Sequence, residues 1–533
     1  MYDIFIYGGL LVDGSGEKAF PANVGIEGEK ITYIGSEFRD AKLILDAKGK
    51  LVTPGFIDAH SHGDINFGYE FEALSKISQG ITFECAGNCG VSAYPVSDKY
   101  KDLYLSVMGT LLMQDEDKNH LSEFSNTENF IKYTNEKKLF LNTAMAIGHN
   151  SIRLAVMGLE NRQPTEKELE EMKAYVRDAM EHGALGLSSG LIYPPSLFAS
   201  TEELIELCKV VKEYNGIYIT HMRNEADRVE EALQEAIDVA EKTGVRLWIS
   251  HHKTCGAKNF GKTRKTLAMI EDAKKRGIDI GYDLYPYTST GERRGYAVLA
   301  PRYMSQGLEA LIERMRDPAF RQEAKADVLN PKEPFENQYD YCGGFKGIVP
   351  IYCPATPEAV DISIEEYALK SGYADPFDAY FDIMIKNKGD VQFCYFMMSY
   401  DDIDYLIQND LATIGTDGVI GLPEQPSHPR VFGTFPFAIK RFVKDKKYFT
   451  MEEFIYKITK YTADKFGLEK RGELKEGYYA DIVVMNPETI EAKAGYLNSH
   501  DLSEGIDKVI INGKLAYKNK ELTGEHTGKL LLK

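Results

Sequence analysis

The sequence has little of several features that would decide its class at once. No stretch of twenty consecutive apolar residues occurs, so we expect no membrane-spanning helix. Positive charge is scarce, because 63 Lys and Arg residues against 81 Asp and Glu residues leave a net charge of −18. Such a chain is a poor partner for nucleic acid or anionic membranes through general electrostatics, although a local cation can still hold a small anionic substrate.

Cysteine is scarce as well. The seven cysteines are odd in number and scattered over 533 residues, which favours a reducing compartment over a disulfide framework. The first residues, MYDIFIYGGLLVDG, lack a basic segment and a small-residue cleavage site, so we expect no signal peptide and a cytoplasmic location. Apolar residues, by contrast, make up 43% of the chain, which is enough for a large core.

The two ends of the chain share a strand-like pattern. Short runs rich in Ile, Val and Tyr fill residues 2–51 and return in residues 480–517. Asn512-Gly513 separates the last two runs and is a pair favoured in tight hairpin turns. We therefore expect one small β-sandwich-like domain formed by both termini, residues 1–54 and 471–533.

Between the ends, apolar runs alternate with helical patterns, which indicates βα units and a parallel sheet. One predicted helix, residues 165–182, opens with Thr165 followed by Glu168, a capping box. The candidate strands are Gly55–His62, Ile81–Ala86, Leu139–Ala146, Ala184–Ser189, Ile217–His221, Arg246–His251, Asp279–Tyr285 and Leu411–Asp417. Eight such strands predict an α/β fold of the (β/α)8 TIM-barrel type over residues 55–470, with an inserted segment, residues 288–410, between the last two barrel strands.

Histidines lie at the ends of three of these strands. His60 and His62 are two residues apart after the first strand, so they point the same way, and imidazole is a common zinc ligand. His221 ends the fifth strand, and His251 and His252 end the sixth. Alternation along a strand allows only one of these two neighbours to face the site.

We choose His251 of the adjacent pair. Strand alternation then places Lys253 on the side of His251 and turns Trp248 outward to the helix layer. Active sites of this fold lie at the carboxyl ends of the barrel strands, where all of the candidate histidines are found. The sequence therefore predicts a metal site at that end of the barrel.

A carboxylate follows the last candidate strand. Asp417, in Thr413-Ile414-Gly415-Thr416-Asp417-Gly418, is placed to bind metal or to take a proton from a metal-bound water. The order His-x-His, His, His, Asp at successive strand ends resembles the amidohydrolase superfamily. In zinc enzymes of that type the metal lowers the pKa of a bound water to about 7, the hydroxide attacks an amide or ester carbonyl, and the carboxylate relays the proton.

The second and fourth strands distinguish branches of the superfamily. Many members with two metals bridge them by a carboxylated lysine on the fourth strand, but here that strand, residues 184–191, contains no lysine. The second strand is followed instead by Cys89, whose thiolate is a strong zinc ligand and can bridge two ions. Cys85 is expected to be a buried free cysteine, because it lies about 13 Å lower in the barrel at the usual strand rise.

Beyond these positions, the sequence resembles the N-acyl-D-amino-acid deacylases, the D-aminoacylase family. The matching motifs run almost end to end: GGLLVDGSG, PGFIDAHSHGD, GITFECAGNCG, GHNSIR with VMG, GLSSGLIYPP, THMRNE, ISHHK, DLYPYT, IGTDG, HPRVFGTF and GYYADIVV. The combination of GNCG, GLIYPP, HHK and HPR is much more specific than any one of them. The resemblance implies a hydrolase that cleaves N-acyl-D-amino acids to a free D-amino acid and a carboxylate.

The resemblance also implies residue roles. Cys89 binds one zinc ion with His221 and His251, while His60 and His62 can hold a second, often weaker ion with the thiolate between the two sites. Asp417 is the general base and acid. The α-carboxylate of a small-molecule substrate is bound by Tyr193, Lys253 and Arg430, since a carboxylate beside the scissile amide calls for a cation and a hydroxyl donor.

Two departures from the family pattern bear on the site. Gly63, in HSHGD, stands where other members often carry a bulkier residue, which affects access to the second metal position. The segment after DLYPYT contains Glu292, Arg293 and Arg294 and is more charged than expected for the family. One hypothesis is that Arg293 or Arg294 meets an acidic substrate side chain; a solvated pair with Glu292 is the alternative.

Two other functions stay open at this point. A cyclic-amide hydrolase, similar to dihydroorotase or hydantoinase, is disfavoured by the missing lysine on the fourth strand and by Cys89. A non-catalytic binding or scaffold protein on the same barrel is disfavoured because every expected ligand is present.

Overall fold

The computed structural model describes residues 1–108, 120–292, 295–304, 307–332 and 335–533. Its strands are β1 Tyr2–Leu11, β2 Phe20–Glu27, β3 Lys30–Gly35, β4 Ala41–Asp46, β5 Leu51–Pro54, β6 Phe56–Asp58, β7 Ile81–Ala86, β8 Asn142–Met145, β9 Ile147–Gly148, β10 Gly186–Gly190, β11 Ile217–His221, β12 Arg246–Ile249, β13 Ile280–Leu284, β14 Ser289–Glu292, β15 Ile348–Tyr352, β16 Gln392–Phe396, β17 Ala412–Ile414, β18 Ile482–Met485, β19 Ile506–Ile511, β20 Lys514–Lys518 and β21 Glu521–Leu522.

The α-helices are α1 Glu70–Ile77, α2 Lys101–Met108, α3 Thr127–Lys137, α4 His149–Met157, α5 Glu166–Glu181, α6 Thr201–Glu213, α7 Val229–Thr243, α8 Thr263–Lys275, α9 Leu308–Arg314, α10 Pro318–Leu329, α11 Gln338–Tyr341, α12 Ile364–Lys370, α13 Pro376–Lys386, α14 Tyr400–Ile407, α15 Arg430–Ala438, α16 Met451–Tyr456 and α17 Thr462–Phe466. Thr165 caps α5 through the predicted capping box with Glu168. Among the described residues, no helix has the length and apolar character needed to cross a membrane.

The two chain ends meet in one sheet, because strands from both pair directly. Its order is β21-β20-β19-β18-β5-β1-β2-β3, with β4 beside β1. The join is the antiparallel pairing of β18 with β5, in which Ile482 lies opposite Pro54. The predicted hairpin between β19 and β20 is present, and Asn512 and Gly513 adopt the positive φ angles, 49° and 76°, that such a turn requires.

The middle of the chain forms the barrel. Parallel strands run β6-β7-β8 and β9-β10-β11-β12-β13-β17, and β8 passes into β9 across a single residue. The ring closes between β17 and β6, where the Asp417 amide donates to the His60 carbonyl at 2.8 Å and Ser61 bridges Gly418. Every strand expected from the sequence is found, and β7 and β11 have the expected bounds.

The first and last barrel strands are shorter than expected. β6 ends at Asp58 and β17 at Ile414, so His60, His62 and Asp417 lie on loops beyond the hydrogen-bonded ladder. Loops at this end of a barrel carry function on a rigid scaffold.

The segment between β13 and β17 packs around its own core. It contains the three-stranded antiparallel sheet β14-β16-β15 and helices α9 to α13. Side chains from the whole segment form one apolar cluster that includes Tyr303, Phe345, Tyr380 and Phe393. The barrel strand β13 ends at Leu284, and β14 begins at Ser289. The insertion therefore lies in sequence between the seventh and eighth barrel strands, as expected.

Candidate active site

The loops at the carboxyl ends of the barrel strands bring the expected polar side chains together. Cys89 follows β7, His221 ends β11 and His251 follows β12. Cys89, His251 and Asp417 have positive φ angles of 53°, 33° and 47°. Backbone of this kind is strained for residues other than glycine, and strained residues cluster at functional sites.

Two groups of possible ligands share one cysteine. The first contains Cys89, His221 and His251, and the second contains Cys89 with His60, His62 and Asp417; within each group the ligand atoms lie within 4.8 Å of one another. The Cys89 Sγ atom is 3.4 Å from Nε2 of His60 and 3.4 Å from Nε2 of His251. Cys89 therefore stands between the two groups.

The site favours an ionised thiol and an ionised carboxyl. Burial opposes ionisation of Cys89, but His60 and His251 outweigh it and hold the pKa of the thiol well below its usual value. Burial likewise opposes ionisation of Asp417, and Arg430 and His62 hold its pKa well below the usual range. Burial lowers the pKa of His62, but Asp417 and Cys89 raise it to about 9.

Zinc fits this donor set. Thiolate sulfur with imidazole nitrogen is the combination that zinc prefers, and Cys89 with His221 and His251 leaves a fourth position open, as catalytic zinc sites do. Both ring nitrogens of His221 are buried without a hydrogen-bond partner. Buried polar atoms of this kind call for a partner, and an ion supplies one.

The three expected substrate-binding residues lie around these groups. The ring of Tyr193 is 5.1 Å from that of His221. Nη1 of Arg430 is 2.8 Å from Oδ2 of Asp417, and its guanidinium carbon lies 4.8 Å from the ring of Tyr285. The ring of Tyr285 also lies 5.8 Å from Nζ of Lys253. Tyr285 belongs to the DLYPYT motif, but its place beside these residues was not predicted.

Sequence reasoning also missed Glu225, which is 4% exposed. Its carboxylate oxygens are 2.8 Å from Nζ of Lys253 and 3.0 Å from Nδ1 of His251, and Oε2 lies 3.5 Å from Nε2 of His221. Lys253 is thus already paired with a carboxylate. The only signal in the sequence was an acid four residues after His221.

The structure places His251, and not His252, beside Cys89, while the expected orientation of Trp248 is wrong. Trp248 belongs to the cluster that fills the barrel interior, and its Nε1 donates to Asp283 at 2.6 Å. Strand pairing ends at Ile249, and the positive φ of His251 interrupts the alternation on which the expectation depended. His252 points to the helix layer, where its Nε2 lies 2.9 Å from Oγ1 of Thr266 on α8.

Asp283, which was also not anticipated, links the interior to the site. Its Oδ1 accepts a hydrogen bond from the His251 amide at 2.9 Å and lies 3.4 Å from Nδ1 of His60. Because one carboxylate contacts residues after β6 and β12, it fixes the two loops relative to each other.

The remaining expectations have mixed outcomes. Cys85 is buried in the barrel interior as expected, and burial raises the pKa of its thiol well above the usual value. Arg293 and Arg294 lie outside the described residues. At Gly63, a Cβ atom would lie 2.7 Å from both carboxylate oxygens of Glu84, so the carboxylate occupies the space that a larger residue needs.

A closed parallel barrel with a Cys/His cluster and an acid at its strand ends defines a metal-dependent amidohydrolase. Amidohydrolase family models match residues 43–327 and 401–516. The D-aminoacylase of Alcaligenes xylosoxydans xylosoxydans is 31% identical over 537 residues, covering 99% of this chain and 97% of that protein. The chain therefore belongs to the amidohydrolase family and, within it, to the N-acyl-D-amino-acid deacylases.

Two solved structures agree with this assignment over the full length. The N-acyl-D-glutamate deacylase of Bordetella bronchiseptica, complexed with zinc and a phosphonate mimic of the tetrahedral intermediate, is 28% identical with a TM-score of 0.82, and 100% of each chain is covered. A D-aminoacylase with a binuclear metal centre, in which one metal activates and the second attenuates, is 30% identical with a TM-score of 0.81 and the same coverage.

Proposed function

We propose that this protein is a zinc-dependent hydrolase that cleaves the amide bond of N-acyl-D-amino acids, yielding a D-amino acid and a carboxylate. The observation that carries the proposal is the single buried Cys89 shared by two groups of histidines beside Asp417. The same arrangement speaks against a cyclic-amide hydrolase with a bridging lysine, since β10 contains none. A scaffold protein would not need a complete set of ligands around a carboxylate.

Cys89, His221 and His251 would hold the tighter zinc ion, and His60 and His62, together with Cys89, would hold a second, weaker one. Zinc, when bound, activates water and polarises the scissile carbonyl. Asp417 takes the proton of the attacking water and delivers it to the leaving nitrogen. Arg430 keeps Asp417 ionised for the first of these transfers, because the two side chains lie 2.8 Å apart.

The substrate is a small molecule with a free carboxylate, which the cluster of Tyr193, Lys253 and Arg430 recognises. Arg430 supplies a planar donor on one side, and Tyr193 and Lys253 supply a hydroxyl and an ammonium beside His221 and His251. Binding the carboxylate there orients the adjacent amide toward the ions and Asp417.

The barrel, residues 55–470, carries the chemistry, and we place the boundaries of the small β-sandwich-like domain at residues 1–54 and 471–533. The first of these boundaries falls between β5, which ends at Pro54, and β6, which begins at Phe56.

A substrate panel tests the function. Purified zinc-loaded protein is incubated with N-acetyl-D and N-acetyl-L forms of Met, Leu, Glu and Asp, and release of free amine is measured. We expect release from D substrates only, and its loss in Cys89→Ala and Asp417→Ala. No amine release from the panel, together with turnover of hydantoin or dihydroorotate, would indicate a cyclic-amide hydrolase. No activity on any compound, together with no bound zinc, would support a scaffold protein.

A further inference from the structure

Glu225 is a buried carboxylate that contacts two of the candidate zinc ligands and has no part in the proposed mechanism. It lies in the loop after β11, four residues beyond His221, and is 4% exposed. Its two oxygens contact Lys253 and His251 at 2.8 and 3.0 Å and approach His221 at 3.5 Å. One side chain therefore touches two of the three residues proposed for the tighter zinc ion and one proposed for the substrate.

The ring orientation of His251 explains the role of its contact with Glu225. Nε2 of His251 faces the sulfur of Cys89 at 3.4 Å, so this nitrogen is the one placed to bind an ion. A neutral imidazole that binds through Nε2 carries its proton on Nδ1, which then needs an acceptor. Lys253 also lies near Nδ1, at 2.7 Å, but an ammonium group cannot accept, whereas Oε1 of Glu225 can.

The same carboxylate keeps the Lys253 ammonium in place. Lys253 is 8% exposed, and a buried ammonium needs a counter-ion. Oε1 and Oε2 of Glu225 both lie 2.8 Å from Nζ, and the nearest other polar atoms are Nδ1 and the carbonyl oxygen of His251. Without the carboxylate, Lys253 would face the edge of the His251 ring as an unneutralised cation beside an ion of charge +2.

We propose that Glu225 is a positioning residue: it fixes the proton of His251 on Nδ1 so that Nε2 can bind zinc, and it anchors Lys253 for the substrate carboxylate. This inference rests on the proposed function for the substrate part only. The zinc part concerns the residues of this chain and is tested without substrate.

The test compares Glu225→Gln with Asp227→Asn. Gln keeps the shape of the side chain and removes the charge, and Asp227 is an exposed acid two residues away in the same loop that pairs with Lys258 rather than with a candidate ligand. Metal-free proteins are titrated with zinc against a chelator of known affinity, and cobalt-loaded samples are examined for the thiolate charge-transfer absorption of Cys89.

Loss of a carboxylate that supports a ligand histidine typically weakens metal binding 10- to 100-fold. We expect E225Q to bind zinc about 10- to 100-fold more weakly than wild type and to show an altered cobalt spectrum. D227N should match wild type in both measurements. With zinc saturating, E225Q should raise KM for the substrate because Lys253 loses its anchor. Zinc affinity and spectrum equal to wild type in E225Q, or an equal loss in D227N, would overturn the proposal.

A second variant and a wild-type control distinguish a folding defect and a wrong function from a wrong role for Glu225. If circular dichroism shows that E225Q does not fold, the test uses Glu225→Asp, which keeps the charge but has a shorter side chain. Weaker zinc binding by this variant supports the role of Glu225, and wild-type zinc binding overturns it. A wild-type protein that binds zinc but hydrolyses no D substrate would refute the proposed function, while the affinity comparison would still decide the role of Glu225.

Discussion

Replacing Lys76 by methionine tests the buried ion pair that joins the two sides of the barrel closure. Lys76 is 1% exposed, and its Nζ donates to Asp58 at 2.8 Å, to Ser61 at 2.9 Å and to Thr416 at 2.9 Å. Asp58 is the last residue of β6, Ser61 lies in the loop after it, and Thr416 follows β17. The ammonium therefore ties together the two loops that carry His60, His62 and Asp417.

The size of the effect follows from what remains after the change. Methionine fills much of the same volume, so the main cost is an unpaired buried carboxylate, which ordinarily destabilises by about 3–5 kcal/mol. Asp58 retains the amide and hydroxyl of Thr416 at 2.8 and 2.6 Å, and Glu84 retains the hydroxyl of Ser61 at 2.6 Å. These contacts place the expected loss of unfolding free energy near the lower end, at about 3 kcal/mol.

Guanidinium unfolding of the metal-free proteins measures this loss, with Lys275→Met as the control. Lys275 is an exposed lysine at the end of α8, where such a change should stay within about 0.5 kcal/mol. In a double-mutant cycle, Asp58→Asn with Lys76→Met should be less destabilised than the sum of the single variants by at least about 1 kcal/mol. An unfolding free energy of Lys76→Met within about 1 kcal/mol of the wild-type value would refute this account of the ion pair. Strict additivity of the two changes in the double-mutant cycle would refute it as well.

Three further outcomes are expected. His251→Gln should lose the tighter zinc ion in metal analysis while His252→Gln keeps it, because only His251 faces Cys89; loss in both variants would contradict the assignment. Burial raises the pKa of Glu72 to about 8, above its value in the unfolded chain, so wild-type stability should fall relative to Glu72→Gln as the pH rises from 6 to 8, by on the order of 2 kcal/mol; parallel melting profiles would exclude this. Gly63→Ala should lower the melting temperature, with an energetic cost of about 1–3 kcal/mol, because its Cβ would lie 2.7 Å from the Glu84 carboxylate, and Glu84→Ala in the same chain should restore part of the loss.

Much of the architecture could be predicted because it depends on local patterns. Apolar runs bounded by glycine and charged residues located all the barrel strands, and the bounds of β7 and β11 were found as expected. The capping box at Thr165 and the hairpin at Asn512-Gly513 are settled by residues within four positions of each other. Such patterns can be predicted because the local preference of the residues agrees with the structure that the whole chain adopts.

Prediction was less successful where the backbone leaves the strand. Alternation placed Trp248 on the wrong side of β12, because it holds only as far as Ile249 and His251 has a φ angle of 33°. Glu225 and Asp283 were overlooked for a different reason. Their partners Lys253, His251 and His60 follow other strands, and the one nearby signal was the position of Glu225 four residues after His221.

By itself, the sequence determined the barrel, the pairing of both termini in one region, the list of candidate ligands and the resemblance to the deacylases, since each depends on residue type and short-range order. Only the tertiary structure decided that Cys89 stands between two groups of histidines, that Arg430 neutralises Asp417, and that Glu225 joins His251 to Lys253. These are distances between loops far apart in the chain. They are set by the closure of eight strands into a ring, which brings residues 60, 89, 225, 251 and 417 within a few ångströms of their partners.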